Sequence, residues 1–151
     1  MRTDETSPVD WFLLAAERLR AADALAGVEG AIYSRIELLQ EGIERYLKGY
    51  LISQGWPLKR IHNLFALLDE AIAFDARFDL FSDLCENLTT QFWAQHYPGG
   101  DLENVGDDYE QLRPQAGELI RLIQSLVPEH FPAPPGSSSI NKLPAPSFLG
   151  V

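Results

Sequence analysis

Apolar residues spaced alternately three and four apart, over five separate stretches, predict an all-α protein: a five-helix, up-and-down-type bundle. Two further observations agree. No stretch alternates apolar and polar residues with the period of two that a half-buried strand requires. Helix-starting and helix-breaking residues, such as Ser7-Pro8, Gly27, Gly55-Trp56-Pro57 and Pro98-Gly99-Gly100, stand at the borders of the periodic stretches. The length of 151 residues suits one domain with a real core. It divides into a flexible start (1–7), a helical domain (8–128) and a flexible Pro- and Ser-rich tail (129–151).

In the first helix Ser7 is placed to cap, Pro8 suits the first position, and Asp10 favours the positive end of the dipole. Phe12, Ala15, Leu19, Ala22 and Ala26 form its apolar stripe, and Gly27 ends it. Trp11, at its exposed start, is a candidate packing lid.

The second stripe, Ile32, Ile36, Leu39, Ile43, Leu47 and Tyr50, predicts a helix from Val28 to Gln54. At roughly 1.5 Å per residue it would be about 40 Å long, and such a helix is expected to form the spine. Gly42 and Gly49 lie on one flank of it. Each costs up to ~1 kcal/mol in a helix interior, so a close neighbour is expected there, another helix being the common case and a ligand the other.

Gly55 and Pro57 stop the spine. A third helix carries Ile61, Leu64, Leu68, Ala71 and Ile72 on one face, and Asp75 to Asp79 reads as a polar turn. The fourth carries Phe81, Leu84, Cys85, Leu88 and Phe92 and stops at Tyr97-Pro98. Asp101 to Asp108 reads as an acidic loop. The fifth turns Leu112, Ala116, Leu119, Ile123 and Leu126 inward, with Pro114 either starting or kinking it.

The net charge of −10 is uneven: residues 1–28 carry −2, residues 29–63 carry +1, and residues 64–151 carry −9. Such a protein repels polyphosphate at long range, which argues against general nucleic-acid binding. An anion would be met by residues 29–63, although acidity also serves solubility alone. The single cysteine, Cys85, excludes an intrachain disulfide and a cysteine-clustered zinc site, and no cofactor or metal is expected. No apolar run approaches the ~20 residues of a membrane helix. With an acidic start lacking signal architecture, the expectation is a cytoplasmic protein.

Among enzyme signatures there is no Gly-rich phosphate loop, no His-Glu-x-x-His and no Gly-x-Ser-x-Gly. His96 suits a structural role at a helix C-terminus, and His130 a solvated one. Glu44 and Lys48 are spaced i, i+4, as are Glu41 and Arg45. As a solvated face such pairs contribute only ~0.3–0.5 kcal/mol each. Lys59, Arg60, His62 and Asn63 gather cations, an imidazole and an amide at a helix start beside free backbone N–H groups. That suits a phosphate or carboxylate, or else a His62 bridge to the spine. The candidate ligand-binding set is therefore Glu44, Lys48, Lys59, Arg60, His62 and Asn63, with no catalytic or metal-ligating residue assigned.

The run Glu41-Gly42-Ile43-Glu44-Arg45-Tyr46-Leu47-Lys48-Gly49-Tyr50-Leu51, then Gly55, then Arg60-Ile61-His62-Asn63-Leu64, resembles the HEPN family. Asp10-Trp11, Ala16 and Tyr97-Pro98 are similar to its landmarks, and the likeness spans residues 8 to 128. Gly42 and Gly49 stand where alanine is usual, Ile61 replaces a threonine, and Asn63 replaces an aspartate. The resemblance implies a small helical domain, often a homodimer, of one of two kinds. Some members accompany a minimal nucleotidyltransferase and are thought to bind nucleotides. Others are metal-independent ribonucleases, frequently toxins, marked by an arginine, four to six residues, then a histidine. Gly55, Trp56 or Pro57 precedes His62 at that spacing; Thr89, Thr90 or Gln91 precedes His96; Ile123, Gln124 or Ser125 precedes His130. The ribonuclease motif is absent. The leading expectation is a non-catalytic module binding a nucleotide-like anion, a small nucleotidyltransferase, or both. The alternatives are a ribonuclease acting through His62, with Arg60 across a dimer, and a structural interaction protein with the Gly42/Gly49 flank as its dimer face.

Overall fold

A computed structural model describes residues 1–96, 98–99 and 105–131. Tyr97, the first part of the expected acidic loop and the tail beyond Phe131 lie outside the described residues. The described chain contains five α-helices and two short 3-10 segments, and no strand. The helices are α1 (Pro8–Ala24), α2 (Ile32–Ser53), α3 (Leu64–Phe74), α4 (Ser82–His96) and α5 (Val105–Leu126). Among the described residues no helix is long and apolar enough to cross a membrane.

α1 starts as its sequence dictates: Ser7 Oγ accepts from the Asp10 amide at 3.3 Å, and Pro8 opens the helix. Phe12, Ala15, Leu19 and Ala22 are buried, but the helix stops before Ala26, which is exposed. The residues before it are also tied down. The Trp11 indole N–H donates to the Glu5 carbonyl at 2.8 Å, and the Asp4 amide donates to Asp10 Oδ2 at 2.8 Å.

α2 begins at Ile32 rather than Val28, because Gly27 and Gly30 both take φ +81, outside the helical region. It is nonetheless the spine, packing against α1, α3, α4 and α5. Its closest neighbour is α1. A Cβ on Gly49 would lie 2.6 Å from Phe12 Cε1, and one on Gly42 would overlap the Leu19 side chain. The two glycines therefore serve helix–helix packing inside the chain. That overturns a dimer face at this flank, since both glycines are buried under α1.

α2 ends in a Schellman motif. Gly55 has φ +86, its amide donates to the Ile52 carbonyl at 3.0 Å, and the Trp56 amide donates to the Leu51 carbonyl at 3.0 Å. Residues 56–63 then run back without helical structure, and α3 begins only at Leu64. Lys59, Arg60 and His62 thus precede the helix instead of sitting in its first turn. Asn63 is its N-cap: Oδ1 accepts from the Phe65 and Ala66 amides at 2.8 and 3.3 Å.

The expected polar turn at Asp75–Asp79 is a 3-10 segment, Ala76–Phe81, that buries Phe78 and Phe81. Asp75 caps it, and hydrogen bonds from Arg77 hold the Asp75 carboxyl below the usual carboxylate range. Residues 105–108 of the expected acidic loop form the first turn of α5, where Asp107 and Asp108 face the positive end of the dipole. Pro114 lies inside α5, on its exposed side. Arg113 joins α5 to α1 through a bidentate pair with Asp23, both bonds 2.9 Å. Past α5, Pro128–His130 makes a 3-10 turn and Phe131 stacks on Phe12 with ring centroids 4.3 Å apart. In the core, burial pushes the Cys85 thiol and the Tyr46 phenol each up to about 12.

Candidate functional site

Of the predicted residues, Glu44, Lys48 and His62 meet where the 56–63 segment returns along α2. Glu44 is the hub: its Oε2 accepts from Lys48 Nζ at 3.0 Å and lies 3.1 Å from His62 Nδ1. A carboxylate only accepts, so Nδ1 carries the hydrogen and Nε2 is left for other partners. The Lys48 side chain is only 4% exposed and that of Glu44 16%, whereas that of His62 is 78% exposed. The Lys48–Glu44 pair is therefore a buried ion pair, beyond the solvated face that its spacing alone allowed. Lys48 also lies 5.7 Å from the centroid of the Trp11 ring.

Arg60 faces the same region but pairs with Glu5, at 3.4 Å. Lys59 does not join the group. It pairs with Glu70 at 3.1 Å and lies 5.9 Å from the centroid of the Trp56 ring. Asn63 is committed to its cap, so the aligned α3 amides are partly satisfied from within the chain. Arg45 is held by Glu41 at 3.3 Å, and Arg18 also approaches Glu41, at 2.8 Å.

Two grooves flank this hub, and Glu44, Arg45 and His62 form the ridge between them. The smaller, about 320 Å³, lies toward α1, where Trp11, Leu14, Lys48, Leu58 and Arg60 complete its lining. The larger, about 450 Å³, lies between α2 and α4, with Gln40, Thr89, Phe92, Trp93 and His96 among its lining residues. The smaller groove gathers Lys48, Arg60 and His62 of the predicted set. The larger carries Glu37, Glu41 and Glu44 and is acidic.

The larger groove was not foreseen from sequence. A signal for it exists in Gln40, a polar residue four after Ile36 and three before Ile43, on the apolar stripe itself. Arg45 and Trp11 were also missed as lining residues, since their approach to His62 depends on tertiary structure. Among the described residues no group of three or more His, Cys, Asp or Glu side chains is placed to hold a metal ion.

Comparison with known proteins gives one family. The HEPN domain matches residues 9–126, spanning α1 to the end of α5. Neither curated proteins nor solved structures gave a match. With its helices, its spine and the Glu44–His62 hub inside the matched region, this chain belongs to the HEPN family.

Proposed function

We propose that this domain is a non-catalytic binding module that takes a nucleotide-like anion in the smaller groove and acts, as a homodimer, beside a minimal nucleotidyltransferase. The observation that carries the reading is the convergence of Arg45, Lys48, Arg60 and His62 on one groove of a protein with net charge −10. Trp11 adds an indole to the same groove, and stacking of a base on an aromatic ring contributes about 1–3 kcal/mol. Lys48 is committed to Glu44 and supplies its charge in place. Arg60 is the adaptable member. Its side chain is 81% exposed, and a surface pair such as Arg60–Glu5 contributes about 0–1 kcal/mol, so a phosphate can displace Glu5 at small cost. The missing arginine–histidine spacing supports the non-catalytic part of the reading, and the family relationship supports the nucleotidyltransferase partner.

Thermal-shift titration with a nucleotide panel tests the reading. Wild type is expected to gain about 2.7 kcal/mol at a ligand concentration a hundred times Kd, with the gain reduced in Arg60→Ala. No stabilisation by any nucleotide at millimolar concentration would remove the ligand. Metal-independent cleavage of RNA by wild type, lost in His62→Ala, would instead establish the ribonuclease alternative.

A further inference from the structure

We propose that the smaller groove selects a nucleoside monophosphate: one nucleoside with a single terminal phosphate, in preference to di- and triphosphates and to the internal phosphates of a nucleic-acid strand. The inference rests on the anion reading and narrows it to one ligand class.

The first observation is how short the basic span is. Each of its outer cations is answered by a carboxylate that lies outside the groove. Arg45 pairs with Glu41 at 3.3 Å, and Arg60 with Glu5 at 3.4 Å. Glu41 belongs to the larger groove, which adds the exposed Glu37. Glu5 belongs to a third hollow, of about 170 Å³, which Asp4 and Asp10 also line and which shares Trp11 and Leu14 with the smaller groove. Carboxylates therefore wall the positive surface on both sides. A phosphate held between Arg45 and Arg60 meets cations. The next phosphate laid along the surface meets Glu41 and Glu37 in one direction, or Glu5, Asp4 and Asp10 in the other. Like charges a few ångströms apart at a surface weaken binding by about fivefold or more. Lys48 cannot follow a longer chain of phosphates, because its side chain is 4% exposed and bound to Glu44.

The second observation is His62. Nδ1 is engaged by Glu44 at 3.1 Å and the side chain is 78% exposed, so Nε2 is open to a ligand. A phosphate monoester loses its second proton near about pH 6. As a monoanion its P–OH donates to a neutral Nε2, and as a dianion it accepts from a protonated one. One proton shared between the two groups makes the hydrogen bond in either state. A phosphodiester keeps no ionisable P–OH once charged and can bond only to a protonated imidazole.

The third is size. At about 320 Å³ the groove stands at the lower end of the roughly 300–1,000 Å³ of small-molecule sites. Trp11 offers one ring for one base, and Arg60, 81% exposed, offers a planar fork that can hold two oxygens of one phosphate.

Isothermal titration calorimetry of the full chain, in buffer with EDTA and at fixed ionic strength, tests this. The probes are the four ribonucleoside 5′-monophosphates, the matching triphosphates and the methyl esters of the monophosphates. At least one monophosphate should bind about fivefold or more tightly than its triphosphate, against the order that charge attraction alone would give. Its methyl ester should bind about tenfold more weakly, the loss of one hydrogen bond to a charged group. His62→Gln should bring monophosphate and methyl ester to within about twofold of each other. The double variant Glu5→Gln/Glu37→Gln, at two exposed positions, should narrow the preference over triphosphate by about threefold or more. A triphosphate that binds as tightly as its monophosphate, a methyl ester that binds equally well, or an unchanged preference in the double variant would overturn the inference and leave the anion groove standing. Absence of binding by every nucleotide would remove both.

Discussion

Replacing Glu44 by glutamine removes the negative charge shared by Lys48 and His62 and leaves the Lys48 ammonium buried beside a neutral amide. Breaking a buried ion pair from one side costs about 3–5 kcal/mol. Glutamine keeps an acceptor oxygen for Lys48, and the Glu44 side chain is 16% exposed, so the loss should fall near the lower end, about 3 kcal/mol. At roughly 4 °C per kcal/mol for a domain of this size, that is a fall in Tm of roughly 12 °C. Lys48→Met replaces the ammonium by an apolar group of similar length. Once Glu44 is neutral, that second change should restore much of the stability, because no unpaired charge stays buried. Urea and thermal unfolding of wild type, both single variants and the double variant give the coupling by a double-mutant cycle. A coupling of at least about 1.5 kcal/mol is expected. A Glu44→Gln variant within about 0.5 kcal/mol of wild type, or an additive cycle, would refute the reasoning that Lys48 depends on Glu44.

Two further predictions concern stability. Gly49→Ala should destabilise by about 1–3 kcal/mol, because the new methyl meets the Phe12 ring, which is itself stacked on Phe131. Gly106→Ala, in the first turn of α5 with open space around it, should stabilise by about 0.4–1 kcal/mol; in thermal melts, a rise in Tm for Gly49→Ala or a fall for Gly106→Ala would contradict the assignment at that position. Burial raises the Cys85 thiol from 9.0 to about 12, so the unfolded chain ionises first. Its contribution is complete below about pH 9 and is lost as the pH rises toward 12. At about 1.36 kcal/mol per pH unit the full effect is roughly 4 kcal/mol, with Tyr46 adding to it in the same direction from pH 10 upward. Unfolding free energies measured from pH 8 to 11 should fall, and fall less steeply in Cys85→Ala. Equal slopes, or rapid alkylation of folded wild type by iodoacetamide at pH 8, would refute the burial.

Five helices were legible because their apolar residues recur at helical spacing, and the inward residues read from those stripes are mostly buried, from Phe12 to Ile123. Boundaries were less legible where chain geometry overrides pattern. Ile32 looks like the second turn of a helix from Val28, but two positive-φ glycines precede it. Ile61 looks like the first inward residue of α3, yet it packs against the core from the non-helical return segment. In the site, the Glu44–Lys48 contact was readable because both lie on one helix. The contact of Glu44 with His62, 18 residues away, and that of Arg60 with Glu5, 55 residues away, depend on where loops run. No local pattern contains that information. Burial was the other missing quantity: the same i, i+4 spacing serves a solvated pair or a buried one, and Trp11 and α1 decide which.

The return of residues 56–63 along α2 makes chain length a ruler. The Schellman turn at Gly55 fixes where the segment leaves the helix, the Asn63 cap fixes where it must arrive, and His62 falls opposite Glu44 because the span between them has the right number of residues. One residue added or removed there would move the imidazole by about 3.3–3.6 Å along the path, farther than a hydrogen bond tolerates. Beside the individual roles of Trp56, His62 and Asn63, the count of residues in this segment is set by geometry. A chain that keeps Glu44 and His62 and alters the length between them has lost their connection while keeping both residues.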